Sequence, residues 1–205
     1  MLLSTTYFGP VQWYQKLHRS DEVFLERHEH FVKQSYRNRC LIATAQGVQA
    51  LTVPVEHSSA YPLSGGCGAS PITDIRISDH NRWRHLHQQA LEAAYGESPF
   101  YDYYIDDLRP FFEENWDSLF DFNLAITRTL CELLDIHPCI RLTDAYVEEA
   151  SDDFRFSIRP KHPLPDSGFE VRPYWQVWQG KHGFLPNLSI LDLLFNMGPE
   201  SILYL

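Results

Sequence analysis

Residues 1–18, MLLSTTYFGPVQWYQKLH, read as strand, sharp loop and helix, and this opening decides the fold. Leu2 to Thr5 is a short buried strand, and Tyr7-Phe8-Gly9-Pro10 turns the chain. Pro10, with its fixed φ and no N–H, suits the first position of a helix running from Val11 to His18. Downstream, apolar runs predict strands at Val23–Glu26, Cys40–Thr44, Val48–Val53, Ile72–Ile77 and Ile140–Thr143. The two that flank Ala45-Gln46-Gly47 are expected to form a hairpin. Apolar residues at i, i+3 and i+4 predict helices over Asn81–Tyr95, capped by Ser78 or Asp79, over Tyr101–Asn115 with a break near Pro110, and over Asp117–Asp135 and Leu188–Asn196. Tyr174–Trp178 reads as extended. Helices interleaved with strands give an α/β fold: one layered domain over residues 1–205, with a mixed sheet that includes the β-hairpin and helices packed on the sheet. Residues 57–71, HSSAYPLSGGCGASP, carry turn residues throughout and are expected to be a mobile loop. Residues 151–173 hold four prolines and no period, and are expected to be an irregular excursion.

Charge narrows the partners. The chain has 17 basic and 27 acidic residues, a net charge of −10, and its cations are scattered. Nucleic acid and anionic membrane surfaces need a positive face and are therefore not expected, whereas a local basic pocket for a small anion is compatible with this balance. The first residues lack the basic region and long apolar run of a secretion signal, and no run of 18 apolar residues could span a membrane. Cys40, Cys67, Cys131 and Cys139 have no C-x-x-C spacing, so free thiols in a reducing, cytoplasmic setting are expected. Cys67, in the Gly-rich loop, is the one expected to be exposed.

Polar residues on apolar stripes are the functional clue. His87 lies among Trp83, Leu86, Ala90, Leu91, Ala94 and Tyr95, and Asn123 among Leu119, Phe122, Ile126 and Leu130. A buried imidazole or amide left unpaired costs about 1–3 kcal/mol, so each needs a structural partner, a water or a ligand. His87 is thus either a general acid or base or a core histidine paired to a carbonyl. The run Lys33-Gln34-Ser35-Tyr36-Arg37-Asn38-Arg39 is the dense cationic cluster of the chain. Arg39 can clamp a phosphate or carboxylate, with Lys33 as a point charge, or the run is a solvated lead into a strand. The loop Tyr7 to Pro10 is either a ligand crevice at the carboxyl end of a central strand or a tight turn with core tyrosines. His85 and His87 sit about 200° apart on a helix, so they share no face and no metal site is expected. Ser189-x-x-Asp192 resembles a capping box, which favours a capping role for Asp192, and Asn196 follows one turn later on the same face.

The runs TTYFGPVQWY, KQSYRNR, ALTVPV, W-x3-H with the following Tyr95 and PF, LFDFN, and PNLSILDLLFNMGPE occur in an order that resembles the WbqC-like family, in the form seen in Bacteroides-type bacteria. The resemblance spans nearly the whole chain, through positions Tyr7, Gly9, Asn38, Arg39, Pro54, Trp83, His87, Tyr95 and Asn123. Where many members carry an aspartate-rich strand end, this chain has Glu26-Arg27-His28-Glu29. Family members are often found with genes for surface polysaccharide such as O-antigen. The resemblance therefore implies modification of a sugar or a sugar precursor, and the cationic cluster with inward polar residues on two helices leads to the expectation of acyl or aminoacyl transfer to an amino sugar or nucleotide sugar. On that expectation His87 is the catalytic residue and Tyr7, Lys33, Asn38, Arg39 and Asn123 bind a small-molecule substrate. No cofactor is implied and no oligomeric state is set. A carbohydrate- or protein-binding module without turnover is the alternative, and nucleotidyl transfer, suggested by the strand-loop-helix opening alone, is a weaker one.

Overall fold

The computed structural model describes residues 1–56 and 70–205. The expected loop at 57–71 therefore lies almost wholly outside the described residues, as does Cys67. Three short strands form a parallel sheet in the order β1 (Leu2–Leu3), β2 (Glu22–Leu25), β5 (Cys139–Leu142). Leu2 faces Phe24 and Leu3 faces Leu25, while Glu22 to Leu25 run alongside Cys139 to Leu142. On its other side, Leu2 makes a parallel bridge to Asp153, so β1 is flanked on both edges. Leu2, Leu3, Val23 and Leu25 are buried, as expected for a parallel sheet covered on both faces. The hairpin of β3 (Arg39–Thr44) and β4 (Gly47–Thr52) stands as its own antiparallel sheet, closed by Ala45-Gln46 with Gly47 at φ 106°. This is an α/β domain whose parallel and antiparallel pairing are both present, distributed over two sheets.

The helix α1 (Val11–His18) occupies its expected span, with Pro10 as the flanking residue. Just before it, Gly9 is fixed by space: a Cβ there would sit 2.4 Å from Thr6 Oγ1. The longer helices are α2 (Trp83–Tyr95), α3 (Tyr101–Leu108), α5 (Leu119–Leu133) and α7 (Ile190–Met197), with single-turn helices α4 (Pro110–Glu113) and α6 (Gln179–His182) between them. Pro110 starts α4, which gives the expected break. Ser118 and Ser189 cap α5 and α7 through their hydroxyls, accepting from Asp121 N and Leu191 N.

Three sequence expectations change here. Ile72 to Asp74 is a 3-10 turn, not the start of a strand. The spacing of Ile72 and Ile75, both buried, is the three-residue repeat of that turn, and only the following residues bridge to Val55 and Ser118. Neither Ser78 nor Asp79 caps α2, because Asn81 and Arg82 take left-handed φ values of 62° and 50°, and Asp79 pairs instead with Arg84. Tyr174 and Gln176 are buried with Trp175 exposed between them, but the stretch joins no strand and turns at Val177 and Trp178: Tyr174 and Gln176 spend their polar groups on Asp192.

The excursion at 151–173 has no helix or strand, yet polar contacts pin it along its length. Lys16 on α1 pairs with Asp166 at 2.8 Å, both side chains being largely buried, and Gln12 Nε2 donates to the same carboxylate. Gln15 Nε2 donates to Glu170 O, and Gln15 Oε1 accepts from Glu170 N. Phe154 N donates to Leu2 O, which ties the excursion to the sheet.

Candidate functional site

The run into β3 gathers the residues singled out by sequence. Asn38 Nδ2 donates to Val53 O at 2.8 Å, Arg39 Nε donates to Thr52 Oγ1 at 3.1 Å, and Asn123 Nδ2 donates to Arg37 O at 2.7 Å. Tyr7 N donates to Tyr36 O. Lys33, Asn38, Arg39 and Thr52 line one surface depression of about 270 Å3, floored by Phe31 and Val55. Lys33 is exposed and Arg39 half-buried. No carboxylate among the described residues pairs with either cation, and residues 57–69 contain neither Asp nor Glu. Two unpaired cations facing one hollow leave a local positive surplus in an acidic chain. The Oδ1 of Asn38 is buried and has no hydrogen-bond partner among the described residues.

Tyr7, His87 and Asn123 lie behind this depression rather than in its lining. The Tyr7 hydroxyl and His87 Nδ1 are 2.8 Å apart, inside an aromatic shell of Trp83 and Phe122. Burial pushes the imidazole down to about 4, against the opposing pull of a hydrogen bond with the Thr52 backbone. His87 is therefore neutral at pH 7. Burial also raises the Tyr7 phenol well above its ordinary range, so it stays protonated. Asn123 is fully buried, and its Oδ1 has no partner.

A second polar centre lies at the carboxyl ends of the parallel strands, where open α/β sheets place their ligand crevice. Ser4 follows β1, Glu26 follows β2 and Thr143 follows β5. Glu26 accepts from Thr143 Oγ1 at 2.7 Å, from the His28 and Val147 amides, and from Arg155 Nη1 at 3.2 Å. Glu29 accepts from Ser4 Oγ and Arg37 Nε, both at 2.9 Å, and from Arg37 Nη2 as well. Arg155 makes further bonds to Asp153, two residues back. Burial raises the Glu29 carboxyl although Arg37 and Ser4 act to lower it. Sequence reasoning missed this centre. Its signal was a polar residue directly after each short apolar strand, but Arg155 sits in an aperiodic stretch that nothing ties to a strand end.

Asp192 is also corrected. It caps nothing: its buried carboxylate accepts from Tyr95 at 3.0 Å, from Tyr174 at 2.7 Å and from Gln176 at 2.7 Å. Burial pushes it up to about 6 despite those three donors. Asn196 bridges Asp192 O and Val177 N, stitching the Tyr174–Trp178 stretch to α7.

Comparison with known proteins agrees with the order of motifs. The model of the WbqC-like protein family matches residues 5–161. The Mycobacterium tuberculosis protein Rv1507c, itself described as uncharacterized, is 27% identical over 213 residues, covering 90% of this chain and 87% of its own length. No solved structure matches. None of the helices among the described residues is long and apolar enough to cross a membrane.

Proposed function

The chain belongs to the WbqC-like protein family, and from that premise we propose that it is a transferase that modifies a sugar precursor of surface polysaccharide, moving an acyl or aminoacyl group onto an amino sugar, free or nucleotide-linked. One observation carries this reading: Lys33 and Arg39 face a single depression with no carboxylate to neutralise them. An anionic substrate group, phosphate or carboxylate, supplies the missing charge, and Arg39 offers it a planar pair of donors. Asn38 accepts a hydrogen bond from the substrate through its unpartnered Oδ1. Asn123 and Tyr7 fix the run from Tyr36 to Arg37 from behind, which keeps the clamp oriented.

In the transfer step the acceptor amine bonds to the acyl carbon of an activated donor. The bond to the donor's leaving group breaks, and the leaving group departs with the electron pair. The proton lost by the amine passes to His87. The imidazole is already in the neutral, proton-accepting form at pH 7. Buried as it is, it holds a proton weakly, and it takes one up only beside the anionic substrate, whose charge offsets its desolvation.

Its low proton affinity and enclosed position also favour a second reading, a binding module that recognises the same anion without turnover. Melting curves with nucleotide sugars and with acyl donors, followed by a transfer assay on wild type and His87→Gln, separate the two. Transferase action requires stabilisation by both ligand classes and product formation by the wild type, and abolition of product in His87→Gln assigns the proton role to the imidazole. Stabilisation by the sugar ligands alone, with no product, leaves the binding module. Full transfer by His87→Gln removes the proton role.

A further inference from the structure

The crevice at the strand ends is built for a ligand with hydroxyl groups. Ser4, Thr5, Thr6, Arg37 and Arg155 contribute its polar lining, and Trp13, Tyr36 and Phe154 its aromatic walls. Thr5 and Thr6 are 1% and 2% exposed, and neither hydroxyl hydrogen-bonds another group among the described residues. A buried hydroxyl without a partner is unfavourable, and valine would fill the same space with no such cost. The charges here balance differently from those at the depression. Arg37 is matched by Glu29, and Arg155 by Asp153 and Glu26, so the crevice has no surplus for an anion. Neutral hydroxyls against aromatic faces are what remains, and that is the chemistry of a sugar ring.

The two hollows share a wall. Tyr36 and Arg37 line the crevice, while the next two residues, Asn38 and Arg39, line the cationic depression. The run from Tyr36 to Arg39 therefore borders both hollows. We propose that the crevice is the sugar subsite of the same substrate whose anionic group occupies the depression, with Thr5 and Thr6 reading ring hydroxyls. This rests on the anion-binding reading given above. As the protein stands, the crevice leaves about 10 Å3 for a water-sized sphere, one water's worth, so a sugar enters when the roof over it lifts. That roof is Phe154 and Arg155 of the 151–173 excursion, held by the Leu2 N–Asp152 O and Phe154 N–Leu2 O bonds, by the Ser4 hydroxyl on Arg155 O and by the Arg155–Glu26 pair, and these are the bonds that entry of a sugar must open.

Calorimetric titration of the full chain with inorganic pyrophosphate, UDP, UDP-glucose and UDP-N-acetylglucosamine tests this, using wild type and the Thr5→Val/Thr6→Val variant. A sugar-bearing nucleotide is expected to bind wild type at least about tenfold more tightly than UDP, and the variant to lose that advantage while keeping its affinity for pyrophosphate and UDP. Thr5→Ser/Thr6→Ser, which keeps both hydroxyls, is expected to retain the advantage. Should the double valine variant fail to fold, Thr5→Val alone serves, with a partial loss expected. Equal binding of UDP and its sugar derivatives to wild type overturns the proposal, as does an advantage that survives in the valine variant, the result for a crevice that holds only a water. Failure of pyrophosphate and UDP to bind at all overturns the anion reading first, and the sugar subsite with it.

Discussion

Arg37 and Arg39 are two residues apart on the same run of chain and meet opposite fates. Arg37 turns inward, is 4% exposed and is clamped on Glu29 and Ser4. Arg39 turns to the depression, is half-buried, and among the described residues has only the Thr52 hydroxyl, on its Nε. The difference separates a charge that completes the fold from one held ready for something outside it. A buried, matched guanidinium is part of the architecture, and removing it strands its partner. An unmatched guanidinium costs the fold little to lose and is worth retaining only for what it binds.

The sharpest way to break this contrast is Arg37→Ala. It leaves the Glu29 carboxyl buried without its cation, and a loss of about 3–5 kcal/mol is expected in urea unfolding. A loss below about 1 kcal/mol would place Arg37 among the dispensable surface charges and end the comparison.

The next test compares two other buried groups by pH. His87 has its folded value depressed to about 4 from 6.5, so its contribution is fully present above pH 6.5 and is lost as pH falls through 4. Asp192 is raised to about 6 from 3.8, so its contribution is fully present below pH 3.8 and is lost as pH rises through 6. Each is worth about 3 kcal/mol across its window, with opposite slopes. The stability gap between wild type and His87→Gln should therefore be widest above pH 6.5 and narrow towards pH 4. The gap between wild type and Asp192→Ala should move the other way, and a gap that is flat with pH in either variant removes that group from the account.

Gly9→Ala should cost about 1–3 kcal/mol, because its Cβ would sit 2.4 Å from Thr6 Oγ1. Pairing it with Thr6→Ala should relieve most of the loss, and an additive pair of effects would show that the loop is strained elsewhere. The smallest stability change is expected for Arg39→Gln, within about 0.5 kcal/mol, accompanied by loss of pyrophosphate binding and of its salt dependence. Destabilisation as large as that of Arg37→Ala would make the two arginines equivalent.

Much of the fold was legible because local rules and tertiary packing agree. Helix α1 follows Pro10, the hairpin turns where Ala45-Gln46-Gly47 allows, and α5 starts at its serine cap. The site was legible only in part. The cationic run could be seen, and so could the oddity of His87 and Asn123 on apolar stripes. Which cation faced inward could not, because that depends on Glu29 and Ser4, which come together only when β1 and β2 pair. Asp192 misled for a related reason: Ser189-x-x-Asp192 has the spacing of a local cap, whereas its actual partners come from residues 95, 174 and 176. Local spacing does not report demand from distant donors.

The bridge from Leu2 to Asp153 sets the order in which this molecule can be made. The first strand leaves the ribosome early but waits for a segment some 150 residues later to close its second edge, and α1 waits for Asp166 and Glu170. Contacts so distant along the chain slow the search for the native state, so β1 and α1 stay without these partners until the segment from Asp153 to Glu170 has been made.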